Sequence, residues 1–122
     1  MTNTINKPLT IFIDIDGTIL HTTSNLHLQY VKESLLLDGT IDKFIEFDRK
    51  GYNIILTTGR RESMRRKTEE ELERLGIFYD QLIMGLGGGK RILINDRKPD
   101  SEEDTAIAIN VTRNEGIKNI NI

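Results

Sequence analysis

Residues 9–15, Leu-Thr-Ile-Phe-Ile-Asp-Ile, form a nearly continuous β-branched apolar run. A strand with one wet face alternates apolar and polar residues. A run without alternation suits a strand covered on both faces, as in a parallel sheet. This run ends at Asp16-Gly17-Thr18, a turn signal. The arrangement then recurs. Residues 53–57 make a second apolar run closed by Thr58-Gly59-Arg60, and 81–84 a short third. Residues 91–95 read as a fourth strand ending at Asp96, and 105–111 as a weakly alternating fifth.

Helical patterns lie between these runs. Thr40 is an N-cap candidate for a helix to Lys50, with Ile41, Phe44, Ile45 and Phe47 as its apolar stripe and Gly51 as its stop. A charged helix spans 61–75 and stops at Gly76. Tyr30 to Leu37 reads as a short helix and His21 to Asn25 as loop. Strands alternating with helices predict an α/β fold: a three-layer open parallel sheet with helices on both faces, in one domain over 1–122. Such sheets bind ligands beyond the carboxyl ends of their strands. Three polar clusters occupy those ends: Asp14/Asp16, Thr57/Thr58 and Asn95/Asp96.

Composition narrows the function. The chain has 122 residues, a net charge of −2 and no cysteine. Thiolate catalysis, disulfides and cysteine-zinc sites are excluded, and no global charge favours nucleic acid or an anionic membrane. No apolar run approaches the roughly 20 residues needed to cross a bilayer, and Met1 to Pro8 lacks the apolar core of a signal peptide. A cytoplasmic location is the default expectation.

Asp14 and Asp16, two residues apart at a strand end, can serve one site. Carboxylates gathered there repel one another and titrate upward, which a hard cation relieves. Magnesium takes one or two carboxylates, waters and a phosphate oxygen. A phosphate ester resists attack because its oxygens are negative, so an aspartate nucleophile needs such a cation. The glycine-rich 85–91 stretch is not a P-loop: its spacing is wrong, it lacks the following Ser/Thr, and it leads into a strand. Its glycines predict a mobile loop near the site.

Asp14-Ile15-Asp16-Gly17-Thr18 resembles the first motif of the haloacid dehalogenase (HAD) superfamily. Thr58-Gly59-Arg60 resembles the second motif, and Ile94-Asn95-Asp96, with Asp100 following, the acidic fourth. In finer detail, residues 58–75, 79–86 and 93–96 are similar to small phosphatases of bacterial capsule and surface-polysaccharide biosynthesis. The resemblance implies a Rossmann-like HAD core and a magnesium-dependent phosphatase working through an aspartyl-phosphate. It implies Asp14 as nucleophile and Asp16 as acid then base, with Asp14, Asp16 (through its carbonyl) and Asp96 on Mg2+. Thr58, with the backbone after it, would hold the phosphoryl oxygens. Lys90 fills the third-motif role, or its neighbour Arg91 does instead. Gly59, Arg60, Arg61 and Arg91 are the substrate-binding candidates.

The expected substrate is a small phosphorylated metabolite: a sugar, polyol or amino-alcohol phosphate. The alternative is a nucleotide or polynucleotide-end phosphatase, against which the lack of an aromatic stacking platform counts. A receiver-like signalling domain would carry its aspartate after the third strand, where Ile83-Met84-Gly85 stands. Neither the interval from Asp16 to Thr58 nor that from Thr58 to Lys90 has room for a cap domain. A capless site needs other cover, so a homo-oligomer, dimer or tetramer, is expected, with Leu35-Leu36-Leu37 as a contact. Arg66, Lys67, His21 and His27 read as solvated.

Overall fold

A computed structural model describes residues 7–23 and 34–122. Three strands form a parallel sheet in the order β1 (Thr10–Asp14), β2 (Asn53–Thr57), β3 (Gln81–Ile83). Asp14 stands opposite Thr57, which stands opposite Ile83, so the strand ends that carry the motifs share one edge of the sheet.

Helix α1 (Thr40–Arg49) links β1 to β2, and a 3₁₀ turn (Glu62–Met64) with helix α2 (Arg65–Arg74) links β2 to β3. Both crossovers step the same way across the sheet, and right-handed connections then put both helices on one face. The core agrees. Ile13, Ile15, Ile54 and Leu56 cluster with Phe44 and Phe47 of α1 and with Leu72 and Ile77 at the end of α2. The parallel α/β core is therefore present, but the described helices cover one face. Phe12, on the other, is 54% exposed.

Both helices end as their glycines predict. Gly51 and Gly76 take positive φ, which a side chain would resist. Gly51 and Tyr52 donate to Asp48 and Phe47, and Gly76 and Ile77 donate to Glu73 and Leu72. That double closure satisfies carbonyls the helices leave open. The start of α1 differs from expectation. Thr40 is the first helical residue rather than the cap, which is Gly39, and the Thr40 hydroxyl donates to the Leu37 carbonyl.

Two predicted strands are absent. Residues 91–95 and 105–111 carry no strand pairing; Ile92, Ile94 and Ile107 are 84%, 90% and 82% exposed. A strand is stable only when its backbone pairs, and β1 is left at the sheet's edge. The chain returns to the core at Ile117.

Residues 35–37 are not helical; the rest of the predicted Tyr30 to Leu37 helix, before Ser34, lies outside the described residues, as does His27. Instead His21 donates to Leu35 and Leu37 to Ile19, a short antiparallel pairing. Leu36 packs on the core and Leu35 points to solvent. Among the described residues, neither interval between the motifs contains a further domain, and no helix is long and apolar enough to cross a membrane.

Candidate active site

Asp14 ends β1 and Asp16 follows in the turn, where the Thr18, Ile19 and Leu20 amides all donate to the Ile15 carbonyl. This tight turn returns the chain over the strand end. The Thr18 hydroxyl donates to Asp14 Oδ2 at 3.1 Å. Burial pushes the Asp14 carboxyl above its ordinary pKa, helped by the Asp16 charge and opposed by Thr18 and the Arg91 guanidinium.

Thr58 is buried just beyond β2. Its hydroxyl accepts from the Arg60 amide at 3.0 Å and lies 3.4 Å from Asp16 Oδ2. It is thus turned toward Asp16 and its own turn. Arg60 departs from the substrate-binding expectation. It is 7% exposed and directs Nε and Nη2 at Asp16 Oδ2 and Oδ1, at 2.8 and 2.7 Å. Its remaining donors go to Thr68, Glu71 and Ser34. Every N–H of the guanidinium is spoken for, leaving none for a substrate oxygen. Arg61 stays exposed at the start of the 3₁₀ turn.

Sequence reasoning missed Thr68 and Glu71. The signal was there: Met64, Thr68, Glu71, Leu72 and Leu75 recur at helical spacing, so the two polar residues share the buried side of α2. Burial raises the Glu71 carboxyl, but the Ser34 amide and Arg60 outweigh it and hold the pKa low. Arg66 is solvated as expected and pairs with Glu70, and Arg65 pairs with Glu62. Lys67, by contrast, is half-buried and lies 3.4 Å from the buried Glu71 carboxylate.

The glycine-rich loop lies against this turn. Gly85 donates to the Arg60 carbonyl and Leu86 to that of Thr58. Arg91 folds back on the loop, donating to the Gly89 and Gly87 carbonyls. Lys90 is exposed, and Arg91 is the basic group whose field lowers the Asp14 carboxyl.

Asp96 is not brought to Asp14 and Asp16. It sits in the exposed 91–111 segment, where its carbonyl accepts from Thr105; Asp100 is exposed there too. Among the described residues, no three acidic or histidine side chains are grouped to hold a metal. From the other side, Asn114 clamps the first turn: its side chain donates to the Thr22 carbonyl and accepts the Thr22 amide, and its own amide donates to Gly17.

An acidic pair after the first parallel strand, a buried threonine ending the second and a basic group beside the pair agree with the match to known families, which covers residues 11–118. The chain belongs to the haloacid dehalogenase-like hydrolases. As a haloacid dehalogenase-like hydrolase it resembles, among solved structures, a chain of the Pnkp1/Rnl/Hen1 complex. That likeness has 26% identity and a TM-score of 0.57 over 72% of this chain and 31% of that one. It also aligns with D,D-heptose 1,7-bisphosphate phosphatase from B. bronchiseptica, complexed with magnesium and phosphate. There the identity is 17% and the TM-score 0.49 over 66% of this chain and 51% of that one. The hydrolase thus spans about a third and a half of these chains. No curated protein matches it significantly.

Proposed function

We propose that this hydrolase cleaves phosphomonoesters, with Asp14 as nucleophile and a small phosphorylated metabolite (a sugar, polyol or amino-alcohol phosphate) as substrate. The observation that carries the reading is the placement of Asp14, a solvent-accessible aspartate at the carboxyl end of a parallel strand, two residues before Asp16. Partial desolvation and the Asp16 charge raise its carboxyl above the ordinary aspartate value. A carboxylate so placed favours a cationic partner, and that partner lowers the repulsion between the attacking oxygen and a negative phosphoryl group.

Asp14 attacks phosphorus, the ester P–O bond breaks, and the leaving oxygen takes a proton that Asp16 must first have taken up on a lone pair the Arg60 fork leaves open. Water then attacks the phosphorus of the acyl phosphate and gives a proton to Asp16, so that Asp14 and inorganic phosphate are released. Arg91 is placed to offset negative charge around Asp14.

The donor set suits magnesium, which is content with one or two carboxylates and completes its shell with water. The Asp14 carboxylate and the Asp16 carbonyl would hold it; Asp96, the third ligand the resemblance implies, is not grouped with them in this structure. When bound, the ion supplies positive charge beside the phosphoryl group.

The test is phosphate release from 4-nitrophenyl phosphate and from a panel of sugar, polyol and nucleoside phosphates, with magnesium and with chelator. Magnesium-dependent release, abolished in Asp14→Asn, is expected. Equal turnover by Asp14→Asn would overturn the mechanism, and activity confined to nucleoside phosphates would replace the substrate class.

A further inference from the structure

The assembly around Arg60 has no counterpart among the roles above. Arg60 and Glu71 are 7% and 4% exposed, and Thr68 is fully buried. Arg60 donates to two carboxylates at once: Asp16 in front and Glu71 behind, the latter at 2.9 Å. Thr68 and Ser34 fill the remaining donor positions at 3.0 and 3.2 Å. The Ser34 amide donates to the second Glu71 oxygen at 2.9 Å. Among the described residues, no buried side-chain nitrogen or oxygen lacks a partner.

A buried charge this completely satisfied has one arrangement. Its guanidinium plane is set by α2 and Ser34, so the two N–H groups facing Asp16 have a fixed position and direction. Asp16 is not held by its own surroundings to the same degree. It lies in a turn and is partly exposed. Left alone, its carboxylate would sample several rotamers. The bidentate fork removes that freedom.

We propose that Arg60 is a positioning residue: backed by Glu71, Thr68 and Ser34, it fixes the orientation of the Asp16 carboxylate at the reacting centre without touching substrate. This rests on the reading of Asp14 and Asp16 as the phosphatase pair. It accounts for an ion cluster of Asp16, Arg60, Glu71 and Lys67, with Arg60 and Glu71 buried, at a site otherwise open to water, where a merely stabilising role is poorly served by buried charges. It also explains why the helix carries a glutamate among its inward-facing residues.

The experiment is a pair of double-mutant cycles on 4-nitrophenyl phosphate with magnesium: Arg60→Lys and Glu71→Gln, each alone and in the Asp16→Asn background. Melting curves establish that each variant is folded. Glu71→Gln keeps the side-chain shape, and serves if Arg60→Lys does not fold. A residue acting through Asp16 loses its effect when Asp16 is gone, whereas a structural one adds to it. Each single variant should lower kcat by about tenfold or more, with KM changed less than about threefold. In the Asp16→Asn background the further loss should be under about twofold. Independent, multiplicative losses in both backgrounds would overturn the positioning role while leaving the phosphatase reading intact. Full activity of Asp16→Asn itself would remove the reading on which the proposal rests.

Discussion

Gly59 lies directly beneath Gly87: a methyl group on Gly59 would stand 2.6 Å from the Gly87 carbonyl oxygen. The glycine of the second motif is therefore demanded by the loop laid across it, and the same loop carries the two carbonyls that hold Arg91. Backbone is the obstacle, so no side-chain rotation relieves it. Gly59→Ala should displace the 85–89 loop and cost about 1–3 kcal/mol by overpacking. Urea unfolding measures the cost. Faster tryptic cleavage after Arg91 in the folded variant would show that the loop has moved.

Arg91 rather than Lys90 should carry the basic role beside Asp14. Arg91→Ala is expected to lower kcat/KM by about tenfold or more, roughly 1.4 kcal/mol of barrier, and Lys90→Ala by much less. Steady-state kinetics of the two variants decide it. The reverse order would return the role to the exposed lysine.

Asp14→Asn should do two opposite things. Activity falls by at least about 10³-fold, since the nucleophile is gone. Stability at neutral pH rises, because the Asp14 carboxyl is held above the 3.8 of an ordinary aspartate, so ionising it disfavours the native state. The sign fixes the pH window: the penalty is absent below 3.8, grows as pH rises through the folded value, and is then constant. Melting curves in chelator should show the variant more stable at pH 7 and the gap closing in acid. A gap that is unchanged at low pH would point to packing instead.

Asn114 should matter well beyond its surface position, because its amide satisfies both backbone groups of Thr22, 92 residues away. Asn114→Ala is expected to cost about 1–3 kcal/mol by leaving them unpaired. Asn114 has a φ of 66°, which glycine tolerates and alanine does not. Asn114→Gly should therefore recover part of the loss, and denaturant midpoints of the three proteins separate the backbone share from the hydrogen bonds.

What the sequence determined by itself was local. The run before Asp16, the apolar 53–57 stretch, the stops at Gly51 and Gly76 and the first two motifs are all written in neighbouring residues. Periodicity and turn chemistry act over a few positions, so they survive without knowledge of the fold. The helix from 61 was legible too, though its first turn is 3₁₀.

Tertiary structure alone decided where charges point. Arg60 follows a strand end, so the sequence offers it to a substrate. Glu71 and Thr68, eleven and eight residues on, instead turn it inward to Asp16. The choice between Lys90 and Arg91 likewise depends on which side chain the loop folds back. The apolar patterns at 91–95 and 105–111 encode extended, pairing-competent chain, but pairing is not a property of the segment. A strand needs another strand's edge, and among the described residues no strand pairs with the outer edge of β1, while Ile92 and Ile94 stay exposed. With 91–95 unpaired, Asp96 is not brought to Asp14; such pairing is a contact between distant parts of the chain that no local pattern specifies.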